Sequence, residues 1–481
     1  MSAPGLDADV VVVGFGPVGA TTAGLAARHG LRTLVVDRAT ELDPLPRAAH
    51  CDGEIVRILQ ELGCAEEIVA TMISNEGMDF LDAQRQVLLR FDSPPDTTIG
   101  WPSSVLFHQP GFERALRAAV VAAGAEVRLG TGIAEVRQHD DHVALTADDG
   151  TVLRASWVVG CDGARSALRA VVGTGLDDLG FEEPWLVLDL LLREPIASLP
   201  RRALQVCDPA RPHTLVPMPF PRFRFEFMLL PGEEAADIDR PDVIRELLAG
   251  WIDPDLVEVE RSAVYTFHGL IAERWRDRRV LLAGDAAHQM PPFLGQGMCS
   301  GMRDAANLVW KLAAVERGAP AALLDTYQAE REPHVRAIIE AAVSFGRIIC
   351  TTDPAVAAER DAGLRAAASG GAQPPLPHLA GGPLLAPGGG GLAPQPRLDD
   401  RLLDDVVGPR WTVIVRSPLA PEHPAGPWTD DRAVVLDAER WPELLAVLAD
   451  DEAVVIRPDR HVFGRGALAP LAAAAGAALA P

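Results

Sequence analysis

The sequence predicts an α/β protein in several parts: a strand–helix sheet, a strand-rich insert, and a small separate αβ unit at the end. Three observations carry that expectation. Residues 10–13 (a β-branched run), 17–29 (helical periodicity) and 31–36 (a second apolar run) form a βαβ unit. Between about 177 and 274, runs such as EPWLVLDLLL and RFRFEFMLL show strand patterns and few helix signals, which predicts a mostly antiparallel sheet. Strand-then-helix order returns at 275–368. A Pro/Gly-dense stretch at 369–396 then reads as a linker or extended wrap, before a small αβ pattern at 397–481. The first part covers 1–176, of which about 75–105 is expected to join the insert.

Composition narrows the function classes. A chain of 481 residues is long enough for two or three domains. A formal net charge of −23 excludes a nucleic-acid partner, because phosphate binding requires a basic surface. The 6 cysteines show no CxxC pair and no metal-ligand spacing, so reduced buried thiols and no metal are expected. The segment MSAPGLDADVVVVG carries acids where a signal peptide needs a basic region, and no apolar run is long enough to span a bilayer. A cytoplasmic protein without a membrane partner is the expectation. Lys311 is the only lysine; arginine supplies the rest of the positive charge.

The stretch VVVGFGPVGA places Gly14, Gly16 and Gly19 in GxGxxG spacing between a strand and a helix. The first glycine permits the tight turn, the second a close approach to a pyrophosphate, and the third packing of helix on strand. Pro17 and Val18 open the helix, whose free N–H groups and positive dipole end suit phosphates. The second strand ends at Asp37-Arg38, where the carboxylate suits a ribose diol and disfavours a 2′-phosphate. This is the fingerprint of a Rossmann-like nucleotide fold, and it leaves NAD, NADP and FAD open.

Two further motifs follow. In RASWVVGCDGARSALRAVVG a strand ends at Asp162-Gly163, before a helix near Arg165; Asp162 as a helix cap is the plain alternative. In VLLAGDAAHQMPPFLGQGMCSGMRDAANLVWKL an ionisable Asp285 ends an apolar strand, and a Pro-Pro-Gly turn leads into a helix with apolar or small residues at 298, 302, 305, 309 and 312.

The order GxGxxG, DG and GDAAH, with PLPRAAHCDGE, FHQPGFERALR and FEFMLLPGE, resembles the class A FAD-dependent aromatic monooxygenases of the para-hydroxybenzoate hydroxylase superfamily. It is most similar to the bacterial 3-(3-hydroxyphenyl)propionate hydroxylases and polyketide aromatic hydroxylases. The resemblance implies a Rossmann-like FAD-binding domain, an inserted mostly antiparallel β-sheet substrate domain and a C-terminal thioredoxin-like domain. It implies tightly bound FAD, transient NADH or NADPH, and O₂ as co-substrate. It assigns Arg47 to the FAD phosphates, Gln109 to the phosphate and ribityl region, and Asp162 and Arg165 to FAD or nicotinamide. Asp285 would meet the ribityl chain and Pro292 the ring edge. Gly295, Gln296, Gly297 and Met298 would form the close approach and the helix start facing the ring.

The implied reaction hydroxylates an aromatic, phenolic substrate through a flavin C4a-hydroperoxide. The alternatives are Baeyer–Villiger or epoxidising tailoring of a polyketide, and a non-catalytic flavin-bearing binding protein. A halogenase would need a catalytic lysine, whereas Lys311 falls inside the buried helical stripe. An NAD-dependent dehydrogenase would share the first fingerprint but leave GDAAH and PPFLGQG without a purpose. His50 and His213 are candidates to assist deprotonation of a phenol. Trp101, Met218, Phe220, Phe223 and Phe225 are candidates for the substrate wall. Tyrosines serve as phenol partners in some members of the family, but this chain has only Tyr265 and Tyr327, so no dedicated catalytic acid or base is identified. The expected partner is a small aromatic or polyketide substrate, and a homodimer is a further expectation.

Overall fold

The computed structural model describes residues 5–94, 98–367, 371–372, 376–419 and 433–479. The first sheet has eight strands, five of them parallel neighbours: Val280–Leu282, Val152–Gly160, Ala8–Val13, Thr33–Asp37 and Glu126–Leu129. Strand Ala8–Val13 is buried along its whole length, as a parallel strand covered on both faces must be, and its valines suit that position. Helix Pro17–Arg28 follows it and packs against helix Gly297–Glu316. In this register the ends of three strands lie side by side at one edge of the sheet. Gly14, Cys161-Asp162 and Gly284-Asp285 therefore become neighbours, although up to 271 positions separate them in the chain.

A second, nine-stranded sheet is built around Leu176–Leu192, which pairs antiparallel with Arg222–Met228 on one side and Val257–Ala272 on the other. Strands His213–Pro217, Ala203–Val206, Gly77–Leu81 and Val87–Asp92 extend it. Alternation along RFRFEFM sends Phe223, Phe225 and Phe227 to the outer face. There they pack with Leu186, Leu188 and Leu190 beneath helix Pro241–Ala249. That helix starts with proline in its first turn and buries Ile244 and Leu248; the sequence patterns gave no expectation of it. The other face, with Arg224, Glu226 and Met228, turns toward the first sheet.

The last part is a four-stranded sheet in which Trp411–Val415 pairs parallel with Ala433–Asp437 and antiparallel with Ala453–Ile456. Strand Val462–Gly466 completes it. The segment before it wraps closely against this unit: Leu384 and Ala393 are fully buried, and Gly390 donates its N–H to Val462. Buried ion pairs dock the unit onto the first part. Arg57 meets Asp404 at 2.6 Å, and Arg460 meets Glu61 at 3.1 Å. Arg457, Asp459, Glu330, Lys311 and Asn307 form a closed set in which Arg457 meets Glu330 at 2.7 Å and Lys311 meets it at 2.9 Å. Among the described residues, no helix is long and apolar enough to cross a membrane, and no His/Cys/Asp/Glu group could hold a metal ion.

Candidate functional site

The glycine turn is tight because backbone crowds it on two sides. Gly14 has φ +103°, and a Cβ there would lie 2.4 Å from the Cys161 carbonyl oxygen. At Gly19 a Cβ would lie 1.9 Å from the Gly14 carbonyl oxygen. Gly16 is different: a Cβ would meet nothing within 4 Å, so this backbone faces open space. The helix beginning at Pro17 has no side-chain cap at Gly16, and its first N–H groups are left for a ligand. Asp37 braces the turn by accepting from Phe15 N at 2.6 Å and Ala39 N at 2.8 Å, while Arg38 beside it is exposed.

Helix Gly297–Glu316 also starts without a side-chain cap. Gly295 before it takes φ +63°, and a Cβ there would press on the His50 ring at 2.8 Å. The two helix starts converge at the Gly284 turn. A Cβ on Gly301 would lie 2.5 Å from Val18 Cγ2 and 2.9 Å from Gly284 Cα. Asp285 leaves that turn with an exposed carboxylate and no hydrogen-bond donor among the described residues. Surrounding protein still strips bulk water from it, and this desolvation raises its pKa; His288 and Arg47 offset only part of the shift. Arg47 is exposed on the same cleft.

These groups fit a dinucleotide flavin. Uncapped helix N–H groups and Arg47 suit anionic oxygens, Asp37 and Asp285 suit hydroxyl groups, and open space lies over Gly16. Gly297 and Met298, both half-buried, open the second helix toward the cleft. Pro292 is half-buried at the cleft, while Phe293 beside it is buried and packs edge-on against Trp185 at 5.6 Å and Phe181 at 5.7 Å. The Pro-Pro turn is thereby fixed against the nine-stranded sheet.

Other expected residues are brought to the region but use their side chains internally. Gln109 accepts from Arg47 N at 2.6 Å and Ala48 N at 2.5 Å, and donates to Glu113, so it fixes the 46–48 loop. Asp162 caps the following short helix through Ser166, Ala167 and Leu168, while Arg165 is exposed. Gln296 donates to Asp52 and accepts from Arg303, leaving only its backbone at the helix start. His50 sits under the Gly295 turn, 2.7 Å from Ser104 Oγ; burial lowers its pKa and favours the neutral ring.

Several candidates lie elsewhere. His213 is on the outer face of the nine-stranded sheet, stacked on Phe227 and accepting from Trp251 Nε1 at 3.0 Å. Phe223 and Phe225 share that outer core, Phe220 is surface-exposed, and Trp101 donates to Gln60. Tyr327 is buried and donates to the Leu282 carbonyl, whereas Tyr265 is half-buried on the inner face beside Arg261. Lys311 is sealed in its ion cluster. The sequence reading missed Glu226, a buried carboxylate on the inner face of the same strand as those phenylalanines. Its only signal was the charged residue alternating with phenylalanine in RFRFEFM.

Comparison with known proteins agrees with this geometry. A sequence profile described as FAD binding domain matches residues 7–342. A "Probable NADH-specific resorcinol 4-hydroxylase" of Rhodococcus jostii (strain RHA1) is 42% identical over 426 residues, covering 85% of this chain and 79% of that protein. A 3-(3-hydroxy-phenyl)propionate/3-hydroxycinnamic acid hydroxylase of Mycobacterium avium (strain 104) is 39% identical over 445 residues, covering 85% and 76%. Among solved structures, aklavinone-11 hydroxylase in complex with FAD and aklavinone shares the fold, with TM-score 0.83 over 100% of both chains at 24% identity. An anhydrotetracycline hydroxylase from Streptomyces rimosus superposes with TM-score 0.79 at 25% identity, covering 98% of this chain and 99% of that one.

Proposed function

This chain belongs to the FAD binding domain family, and from that premise we propose that Gly14, Gly16, Gly19, Asp37, Arg47, Asp285 and the start of helix Gly297–Glu316 hold the flavin. The protein is an FAD-dependent monooxygenase that consumes NAD(P)H and O₂ and hydroxylates a phenolic ring. When bound, FAD supplies the electron transfer and the oxygen activation. The chain's residues anchor it, shape the space over the ring and exclude water. Asp285 carries the assignment: it is a carboxylate exposed at the meeting point of three strand ends, where no donor among the described residues satisfies it.

The nicotinamide donor we propose is NADH, and the substrate a small hydroxylated aromatic, following the named activities of the two curated relatives. The nine-stranded sheet is the substrate-binding part. The last four strands form a thioredoxin-like unit without CxxC, whose role is docking. A homodimer and a cytoplasmic location complete the proposal; light scattering and cell fractionation test them. The deciding experiment identifies the flavin released from purified protein, then follows NADH and NADPH oxidation with resorcinol and with 3-(3-hydroxyphenyl)propionate. Product and hydrogen peroxide are measured together. Ligand-stimulated oxidation without hydroxylated product, all of it appearing as peroxide, would sink the hydroxylase assignment.

A further inference from the structure

The inner face of the nine-stranded sheet carries ionisable groups that flavin binding leaves unused. Direct cross-strand pairing puts Asp189, Arg224 and Arg261 in one rung, and Val187, Glu226 and Ala263 in the next. Trp185, Met228 and Tyr265 form the third. The first rung is tied to the flavin-binding part: Arg224 donates to Asp189 and to the carbonyls of Pro46 and Arg47, and Arg261 donates to Pro46. In the third rung, Trp185 packs on Phe293 of the Pro-Pro turn. Glu226 therefore lies between the two loops that border the cofactor cleft.

Its carboxylate lacks a donor. The cross-strand neighbours are Val187 and Thr214, and the Thr214 hydroxyl donates to Gln205 instead. Among the described residues, no hydrogen bond reaches the Glu226 side chain. Its nearest charge contact is Arg224 at 3.8 Å, and the side chain is only 10% exposed. The carboxylate is thus nearly enclosed yet keeps a narrow opening, an acceptor that a molecule from outside the chain can reach.

We propose that Glu226 accepts a hydrogen bond from the phenolic hydroxyl of a bound, uncharged hydroxy-aromatic substrate, with Tyr265 on the adjoining wall. The proposal rests on the hydroxylase assignment above and names the substrate contact within it. An anionic acceptor polarises the O–H bond and raises electron density at the ring carbons ortho and para to it, the positions an electrophilic oxygen attacks. It also repels a substrate carboxylate, so an ionised acid group must lie away from this rung. The charged and titratable groups facing Glu226 are Arg224, Asp189, Arg261 and Tyr265. Burial, with Asp189, raises the Glu226 pKa more than Arg224 and Arg261 lower it. Resorcinol binding should therefore strengthen as pH rises through the ionisation of Glu226.

The test titrates FAD-loaded protein with resorcinol in the absence of NADH, reading the perturbed flavin spectrum and the heat of binding. Glu226→Gln should leave the flavin bound and weaken resorcinol roughly five- to ten-fold, the difference between a charged and a neutral hydrogen bond. It should also flatten the pH dependence, and Glu226→Asp should recover part of the affinity. 1,3-Dimethoxybenzene, which has no hydroxyl to donate, should bind the wild type more weakly than resorcinol does, and this preference should shrink in Glu226→Gln, whose amide oxygen accepts without a charge, and vanish in Glu226→Leu. Wild-type resorcinol affinity and pH profile in Glu226→Gln would overturn this proposal alone. Failure of wild-type holoprotein to bind either resorcinol or 3-(3-hydroxyphenyl)propionate would overturn it together with the hydroxylase assignment.

Discussion

Two groups of buried charge sit on either side of the flavin-binding part, and they are finished differently. Around Glu330, every charge has a partner: Lys311, Arg457, Asp459 and Asn307 share their donors and acceptors within 3.2 Å. Around Glu226, Asp189 and Arg224 pair well, yet among the described residues Glu226 has no hydrogen-bond donor and Arg261 Nε no acceptor. Complete pairing is what a permanent contact between parts of a chain requires. An incomplete set leaves capacity for a molecule that comes and goes. Pairing, more than burial, separates architecture from chemistry here.

The largest expected effect breaks the complete set. Glu330→Ala leaves Lys311 and Arg457 without their shared carboxylate, and should cost about 3–5 kcal/mol of unfolding free energy in a urea titration. The same carboxylate has a pH signature. Burial pushes Glu330 up, but Lys311 and Arg457 outweigh it and hold its pKa down at about 2. A carboxyl depressed on folding stabilises fully above its unfolded value and loses that contribution as pH falls toward its folded one. Wild-type stability should thus fall between about pH 4.5 and 2 through this group, and Glu330→Gln should flatten that part of the curve.

Next in size is Asp285→Ala, at the open cleft. Losing a charged acceptor of about 1.5–3 kcal/mol should weaken FAD by roughly ten- to a hundred-fold, read from flavin fluorescence on titrating apoprotein, with little change in the apoprotein's stability. The smallest effect is the most discriminating. Glu226→Leu removes a carboxylate that no donor satisfies, so unfolding free energy should stay within about 1 kcal/mol of wild type or rise. A loss as large as that for Glu330→Ala would mean both groups are structural, and the contrast would collapse.

The nucleotide fold and its cleft were legible because their signals are local. GxGxxG, the acid at Asp37 and the GDAAH turn each encode their geometry within a few residues, and only the parallel register was needed to assemble them. The substrate side was not legible, because strand alternation says which residues share a face and not which face looks inward. The aromatic residues of RFRFEFM drew attention to Phe223 and Phe225, but helix Pro241–Ala249 covers that face and leaves Glu226 on the other. His213 was misplaced for the same reason. Gln109, Asp162 and Gln296 lie near the cleft, but sequence does not show that their side chains hydrogen-bond within the chain.

The single lysine of this chain is fully buried where the last unit docks. Amine-directed acylating reagents thus find no lysine to modify while the docked arrangement holds. Acylation at Lys311 becomes a clock for its opening: the rate, followed by intact mass, times how often the last unit lifts away, and bound flavin should slow it if opening and cofactor loss are coupled.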